Sequence, residues 1–193
     1  MKAETYIRVL FGILFACTFV GCHNDIENEI KSFMTQRIDM PYQEMERKIC
    51  SKFYDNRVSS NAIFIVNYID SKVCGSCELS RIAEEEKNHI DYLKSRNVHF
   101  MYVFETNSAR MTTLYYELCN NRLEGIVYID TTGVFKRRNT HIPENKLFHT
   151  FVMSNDGKVL LVGNPFTNER MNSLFNKIVG KHKASNNKAT KSQ

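Results

Sequence analysis

The chain has 193 residues, of which 42% are hydrophobic and 24% charged, with 8 Gly, 3 Pro, 6 Cys and no Trp. This balance excludes collagenous, disordered and multi-spanning chains, and the length suits one domain with short appendages. A formal charge of +5 invites a nucleic-acid reading, but the charge sits at the ends. Lys181, Lys183, Lys188 and Lys191 form an acid-free tail, Lys2 and Arg8 lie at the start, and the body between them is near neutral. No nucleic-acid partner is expected, and residues 181–193 are expected to be a disordered basic tail.

Residues 9–21 follow two basic side chains as an uncharged apolar run that ends at Cys22. A basic start and a short apolar stretch are the layout of a signal peptide. The run falls short of the ~20 residues that cross a hydrocarbon core as a helix, which disfavours a permanent span. Phe19-Val20-Gly21-Cys22 resembles the lipobox of bacterial lipoproteins, with Phe19 where Leu is more usual. That resemblance implies removal of residues 1–21, lipidation of Cys22, and a domain held to a membrane outside the cytoplasm, on the periplasmic face or the cell surface. Asp25, Glu27 and Glu29 resemble the acidic export signals of some Bacteroidetes lipoproteins, and equally suit the first turns of a helix.

Residues 22–60 read as an anchor and lead-in segment. Ile26, Ile30, Phe33 and Met34 share one helical face up to about residue 38, Asp39-Met40-Pro41 breaks the pattern, and residues 42–60 carry no clear periodicity. The main domain is placed at residues 61–180. Residues 62–69 form a dense β-branched and aromatic run that predicts a central strand buried on both faces. Cys74-Gly75-Ser76-Cys77 follows, and Leu79, Ile82, Ala83, Ile90 and Leu93 then stripe a helix to about residue 96. Residues 98–104 predict a second strand, Met111, Leu114, Tyr115, Leu118 and Cys119 a second helix, and residues 125–130 a third strand. This β-α-β-α rhythm implies parallel pairing. Residues 148–153 and 159–162 flank Ser154-Asn155-Asp156-Gly157-Lys158, a hairpin turn in which Asn or Gly supplies positive φ. Met171, Leu174, Phe175, Ile178 and Val179 mark a last helix, with Gly180 as its expected stop.

A CxxC at the junction of a buried strand and a helix has a physical purpose. The unpaired N–H groups and positive dipole of a helix start stabilise a thiolate, lowering a cysteine pKa from ~8.5 to ~3.5–7.5. Cys74 is the expected nucleophile, and Cys77, three residues on, is the expected resolving thiol. Half of a zinc site and a structural disulfide are the competing readings; no second CxxC or HxxxH completes the former, and so short a loop gains little from the latter.

The apolar strand at residues 63–70, the CGSC motif, the helix after it and the late hairpin with its helix together resemble the thioredoxin fold over residues 62–180. The lipobox adds a likeness to the membrane-anchored TlpA/ResA branch, and Tyr68-Ile69-Asp70-Ser71, His149-Thr150-Phe151 and Val162-Gly163-Asn164-Pro165 resemble a group of Bacteroidetes thioredoxin-like lipoproteins. The resemblance implies an α/β fold with a four- or five-stranded mixed sheet flanked by helices. It also implies thiol–disulfide exchange without a cofactor, with protein thiols or disulfides and an electron donor or acceptor as partners.

One departure stands out. Phe148 or His149 occupies the place where thioredoxins carry a proline facing the CxxC, so both are candidate neighbours of the active site. His149 would there stabilise a thiolate, transfer protons, or join Cys74 and Cys77 as a ligand of a soft metal such as copper, the alternative function; its other reading is a hydrogen bond within the hairpin. Ser71, three residues before Cys74, also matches the hydroxyl of a peroxidatic signature, although Asn67 stands where that signature has proline. Cys50 and Cys119 receive no role, and the direction of exchange, reducing or oxidising, is not specified by the Gly75-Ser76 pair.

Overall fold

The computed structural model describes residues 25–48, 59, 61–71 and 75–190, the side chains of 75–77 and 185–190 excepted. Cys22, Cys50 and Cys74 lie outside the described residues. Six strands form one mixed sheet: β1 (Glu46–Lys48), β2 (Ile63–Ile69), β3 (Val98–Glu105), β4 (Ile126–Asp130), β5 (Thr150–Ser154) and β6 (Val159–Val162), in the order β1-β4-β3-β2-β5-β6. Five helices accompany them: α1 (residues 25–35), α2 (Gly75–Lys94), α3 (Ser108–Asn120), α4 (Val134–Arg138) and α5 (Glu169–Thr190), with a 3₁₀ turn at Lys146–Phe148.

Every residue of β2 is buried. It pairs in parallel with β3, Ile63 opposite Val98 through Ile69 opposite Phe104, and antiparallel with β5, Ile63 opposite Ser154 through Asn67 opposite Thr150. β3 and β4 are also parallel, and β5 and β6 form the expected hairpin. The β2-α2-β3 and β3-α3-β4 units step the same way across the sheet, so right-handed crossovers put both helices on one face. Ile63, Ile65, Leu79, Leu93, Phe100 and Leu118 fill that face, together with Phe175 from α5. Phe64, Val66, Val103 and Phe151 fill the other, under Phe33 of α1 and Phe135 of α4. A buried parallel strand with a helix crossover on one side and an antiparallel hairpin plus helix on the other is the thioredoxin-like arrangement, and the chain has that α/β fold.

Three features depart from the expected elements. The sheet has a sixth strand, because Glu46-Arg47-Lys48 pairs antiparallel with β4; three charged residues carry no hydrophobic period, and only the free edge of β4 makes them a strand. α1 uses less of its stripe than expected, burying Phe33 edge-on against Phe151 while Ile26 and Met34 stay exposed. The last helix runs past Gly180 to Thr190. Gly180 does not take the positive φ of a helix stop, which the described glycines Gly133, Gly157 and Gly163 do take, and a Cβ there would meet only open space.

The lead-in is stitched to the hairpin. Ile38 N donates to Gly157 O at 2.8 Å, and Arg37 bridges to Lys158. Gly157 has φ +81, and a Cβ on it would stand 2.4 Å from Ile38 O, so both the turn and the close approach require glycine.

Glu86 of α2 is 3% exposed, and its Oε2 accepts from Glu124 N at 3.0 Å, clamping the helix to the β3–β4 connection. Burial pushes this carboxyl from 4.5 up to about 7, opposed by the backbone N–H groups of Glu124 and Gly125. A folded-state pKa above the unfolded one favours the fold fully below pH 4.5, and the advantage is lost as pH rises through about 7. Glu86→Gln is therefore expected to stabilise the protein by up to roughly 3 kcal/mol at pH 8 and by far less at pH 4.5. Urea unfolding at the two pH values measures it, and a pH-independent difference would contradict the account.

Candidate functional site

The C-terminal end of β2 delivers the chain to the start of α2, where Gly75, Ser76 and Cys77 form the first turn. Cys77 thus has its backbone at the positive end of a 20-residue helix. Its partner in the motif, Cys74, lies outside the described residues. Glu78, also in the first turn, accepts from Arg81 Nε at 3.1 Å, and Arg81 reaches Glu85 at 3.5 Å.

A cleft of about 300 Å³ opens beside this first turn, between the end of β2, the start of α2 and residues 145–150. Asn67 lies deep in it, Glu78 and Arg81 form one wall, and Lys146, Leu147 and His149 form the other. Leu147 is 75% exposed at its lip. On the other side of the β2 end a smaller hollow of about 60 Å³ is lined by Asp70, Ser71, Glu105 and Arg110. Two hollows flanking the exit of a central parallel strand are expected where neighbouring connections diverge.

His149 lines the cleft. It caps the 3₁₀ turn, donates its backbone N–H to Lys146 O at 3.1 Å, and accepts from Tyr68 N at 2.9 Å. Its Nε2 lies 3.0 Å from Pro143 O, which makes Nε2 the protonated nitrogen of a neutral ring, and the ring tilts against Tyr68 at 4.9 Å. The bond runs to Pro143, ahead of the hairpin rather than within it. Phe148 is buried in the α1/α4 face rather than lining the cleft. Burial lowers the His149 pKa below 6.5, against a raising effect of the Pro143 carbonyl and Asp70. No group of three or more His, Cys, Asp or Glu placed to hold a metal occurs among the described residues.

Behind His149, the Tyr68 hydroxyl donates to Glu105 Oε2, and burial followed by this bond keeps the phenol protonated well beyond its ordinary range. Ser71 Oγ reaches Glu105 Oε1 at 3.4 Å, so the hydroxyl that fitted a peroxidatic signature is turned toward the end of β3. Lys146 Nζ stands 3.6 Å from Asp70 Oδ1. Asp130, fully buried at the end of β4, accepts from Val134 N and Phe135 N at 3.1 and 2.8 Å and starts α4. His89 stacks on Phe166 at 3.8 Å, and His99 contacts Asn97 at 3.2 Å, both away from the cleft. Cys119 is half-buried on α3.

Sequence reasoning passed over Glu105 and Lys146, and named Asn67 only as a departure from the peroxidatic signature. Asn67 carried a signal, as the lone polar side chain inside an apolar run that becomes a strand buried on both faces. Glu105 and Lys146 gave none, because their importance arises from strands and turns distant in sequence.

No family model and no curated protein matches the chain. Among solved structures, an uncharacterized thioredoxin-like protein from Porphyromonas gingivalis is 15% identical, with 62% of this chain and 75% of that one covered at a TM-score of 0.44. A putative thiol:disulfide interchange protein DsbE from Chlorobium tepidum is 16% identical, with 75% and 99% covered at 0.49. Peroxiredoxin Q from Xanthomonas campestris is 10% identical, with 65% and 80% covered at 0.39.

A neutral, buried His149 has a consequence for stability. The unfolded imidazole titrates near 6.5 and the folded one lower, so its contribution is complete above pH 6.5 and is lost as pH falls through the folded value. The stability advantage of wild type over His149→Gln is expected to be largest at pH 7.5 and to shrink toward pH 5. Denaturant midpoints at the two pH values test this, and an unchanged gap would show that the ring is not buried neutral.

Proposed function

We propose that the chain is a thiol–disulfide oxidoreductase acting outside the cytoplasm, anchored to a membrane through Cys22, with Cys74 as nucleophile and Cys77 as resolving thiol. The observation that carries this reading is the position of Cys77 in the first turn of α2, directly after a fully buried central strand and beside an open cleft. A helix start favours the thiolate over the thiol, and a cleft at that point gives a substrate sulfur somewhere to approach.

In the reducing direction the Cys74 thiolate attacks one sulfur of a substrate disulfide. The S–S bond breaks, a mixed disulfide forms, and the leaving thiolate takes a proton from solvent. Cys77, having given up its proton, then attacks the Cys74 sulfur and expels the second substrate thiolate. Two electrons pass to the substrate, and the protein is left with a Cys74–Cys77 disulfide; the oxidising direction is the reverse. The compartment favours reduction, since a space that oxidises thiols creates a need to repair wrong disulfides. In the soft-metal alternative the bond from His149 Nε2–H to Pro143 O would leave Nδ1 as the ring nitrogen available beside Cys74 and Cys77.

Pre-reduced protein is expected to reduce one equivalent of a model disulfide. Cys74→Ser should lower the rate at least a hundredfold, and Cys77→Ser should stall as a mixed disulfide visible by mass. Full activity in Cys74→Ser would refute the assignment of the nucleophile.

The anchor is tested separately. Mass spectrometry of protein recovered from membranes should show a mature N-terminus at Cys22 carrying acyl chains. An unmodified Met1, or a soluble product beginning elsewhere, would defeat the lipoprotein reading and leave the dithiol chemistry untouched.

A further inference from the structure

Asn67 sits on the α2-facing side of β2, alternating with Ile65 and Ile69, and is 4% exposed at the base of the cleft. Its Oδ1 accepts from Thr150 Oγ1 at 2.8 Å, across the register that sets Asn67 opposite Thr150. With Oδ1 so engaged, Nδ2 is the amide's other end. Its Nδ2 is buried with no hydrogen-bond partner among the described residues. A buried donor left unpaired is costly and calls for an explanation, one of which is a partner that arrives with a ligand.

Several other polar groups of the cleft are engaged. Glu78 and Arg81 hold each other, Lys146 faces Asp70, and Asn145 Oδ1 accepts from Leu147 N at 3.1 Å. The backbone N–H and C=O of His149, which lie where a bound strand would look for partners, are already used by Lys146 O and Tyr68 N. The backbone at this turn is closed, and the Asn67 amide remains as the buried donor.

We propose that Asn67 Nδ2 is a substrate-reading donor that takes a main-chain carbonyl of an extended peptide next to its disulfide. A neutral carbonyl fits better than a carboxylate, because the cationic Arg81 and Lys146 are each matched by an acid and leave no net charge to attract an anion. Leu147 at the lip adds an apolar contact for a side chain of the same peptide. This rests on the dithiol reading and adds to it the group that recognises the substrate's main chain, so that a polypeptide disulfide is favoured over a small one.

The experiment follows single-turnover oxidation of the pre-reduced full chain by two disulfides over a range of concentrations. One is an unstructured octapeptide carrying a mixed disulfide, and the other is hydroxyethyl disulfide, which has no carbonyl. Asn67→Leu is expected to raise the half-saturating peptide concentration about tenfold, the loss of one hydrogen bond, with the limiting rate and the hydroxyethyl disulfide reaction changed less than twofold. Asn67→Leu/Thr150→Val removes both partners of the buried bond, leaves no orphan hydroxyl, and should behave the same way. An equal loss with both disulfides would overturn the proposal by showing that the amide serves the thiols or the fold, and so would an unchanged peptide reaction. A wild-type chain inert toward both disulfides would instead refute the dithiol reading, and the proposal with it.

Discussion

The burial of β2 on both faces and both edges is the constraint on which the rest depends. A strand so enclosed must have every backbone group paired, which it achieves through β3 on one side and β5 on the other. It can leave the interior only at its ends. At its C-terminal end a deeply anchored segment meets solvent, and there the chain leads to α2 with Cys77 in the first turn. Rigidity behind and exposure ahead are what a positioned nucleophile requires.

The polar residues around that exit hold it in shape through side chains. Tyr68 and Ser71 are both tied to Glu105, which joins the end of β2 to the end of β3. Asp130 closes the end of β4 by capping α4. His149 accepts from Tyr68 N and so joins the β5 side to the same strand end. At this turn the His149 imidazole is bonded to Pro143 O. The turn's geometry is thereby coupled to protonation, since burial disfavours the charged ring against its Tyr68 neighbour.

The lead-in belongs to the domain's architecture. Phe33 covers the sheet face opposite α2, and the 37–38 backbone is bound to the hairpin turn through Gly157. The proposed anchor at Cys22 would therefore connect to the sheet through a docked segment.

By itself the sequence determined the elements whose physics is local. The apolar run at residues 63–69, the helical stripe from Leu79 to Leu93 and the hairpin around Gly157 each appear where periodicity and turn chemistry place them. Cys77 at a strand-to-helix junction follows from the same order. The tertiary structure alone decided the features that depend on partners far along the chain. Glu46–Lys48 became a strand because β4 had a free edge. Asn67 became a cleft residue because β5 aligned Thr150 with it. Glu105 acquired its role because parallel pairing set the end of β3 beside Tyr68. Short-range periods record which face of an element is apolar, whereas hydrogen bonds between residues 37 or 83 positions apart exist only once the strand order has been chosen.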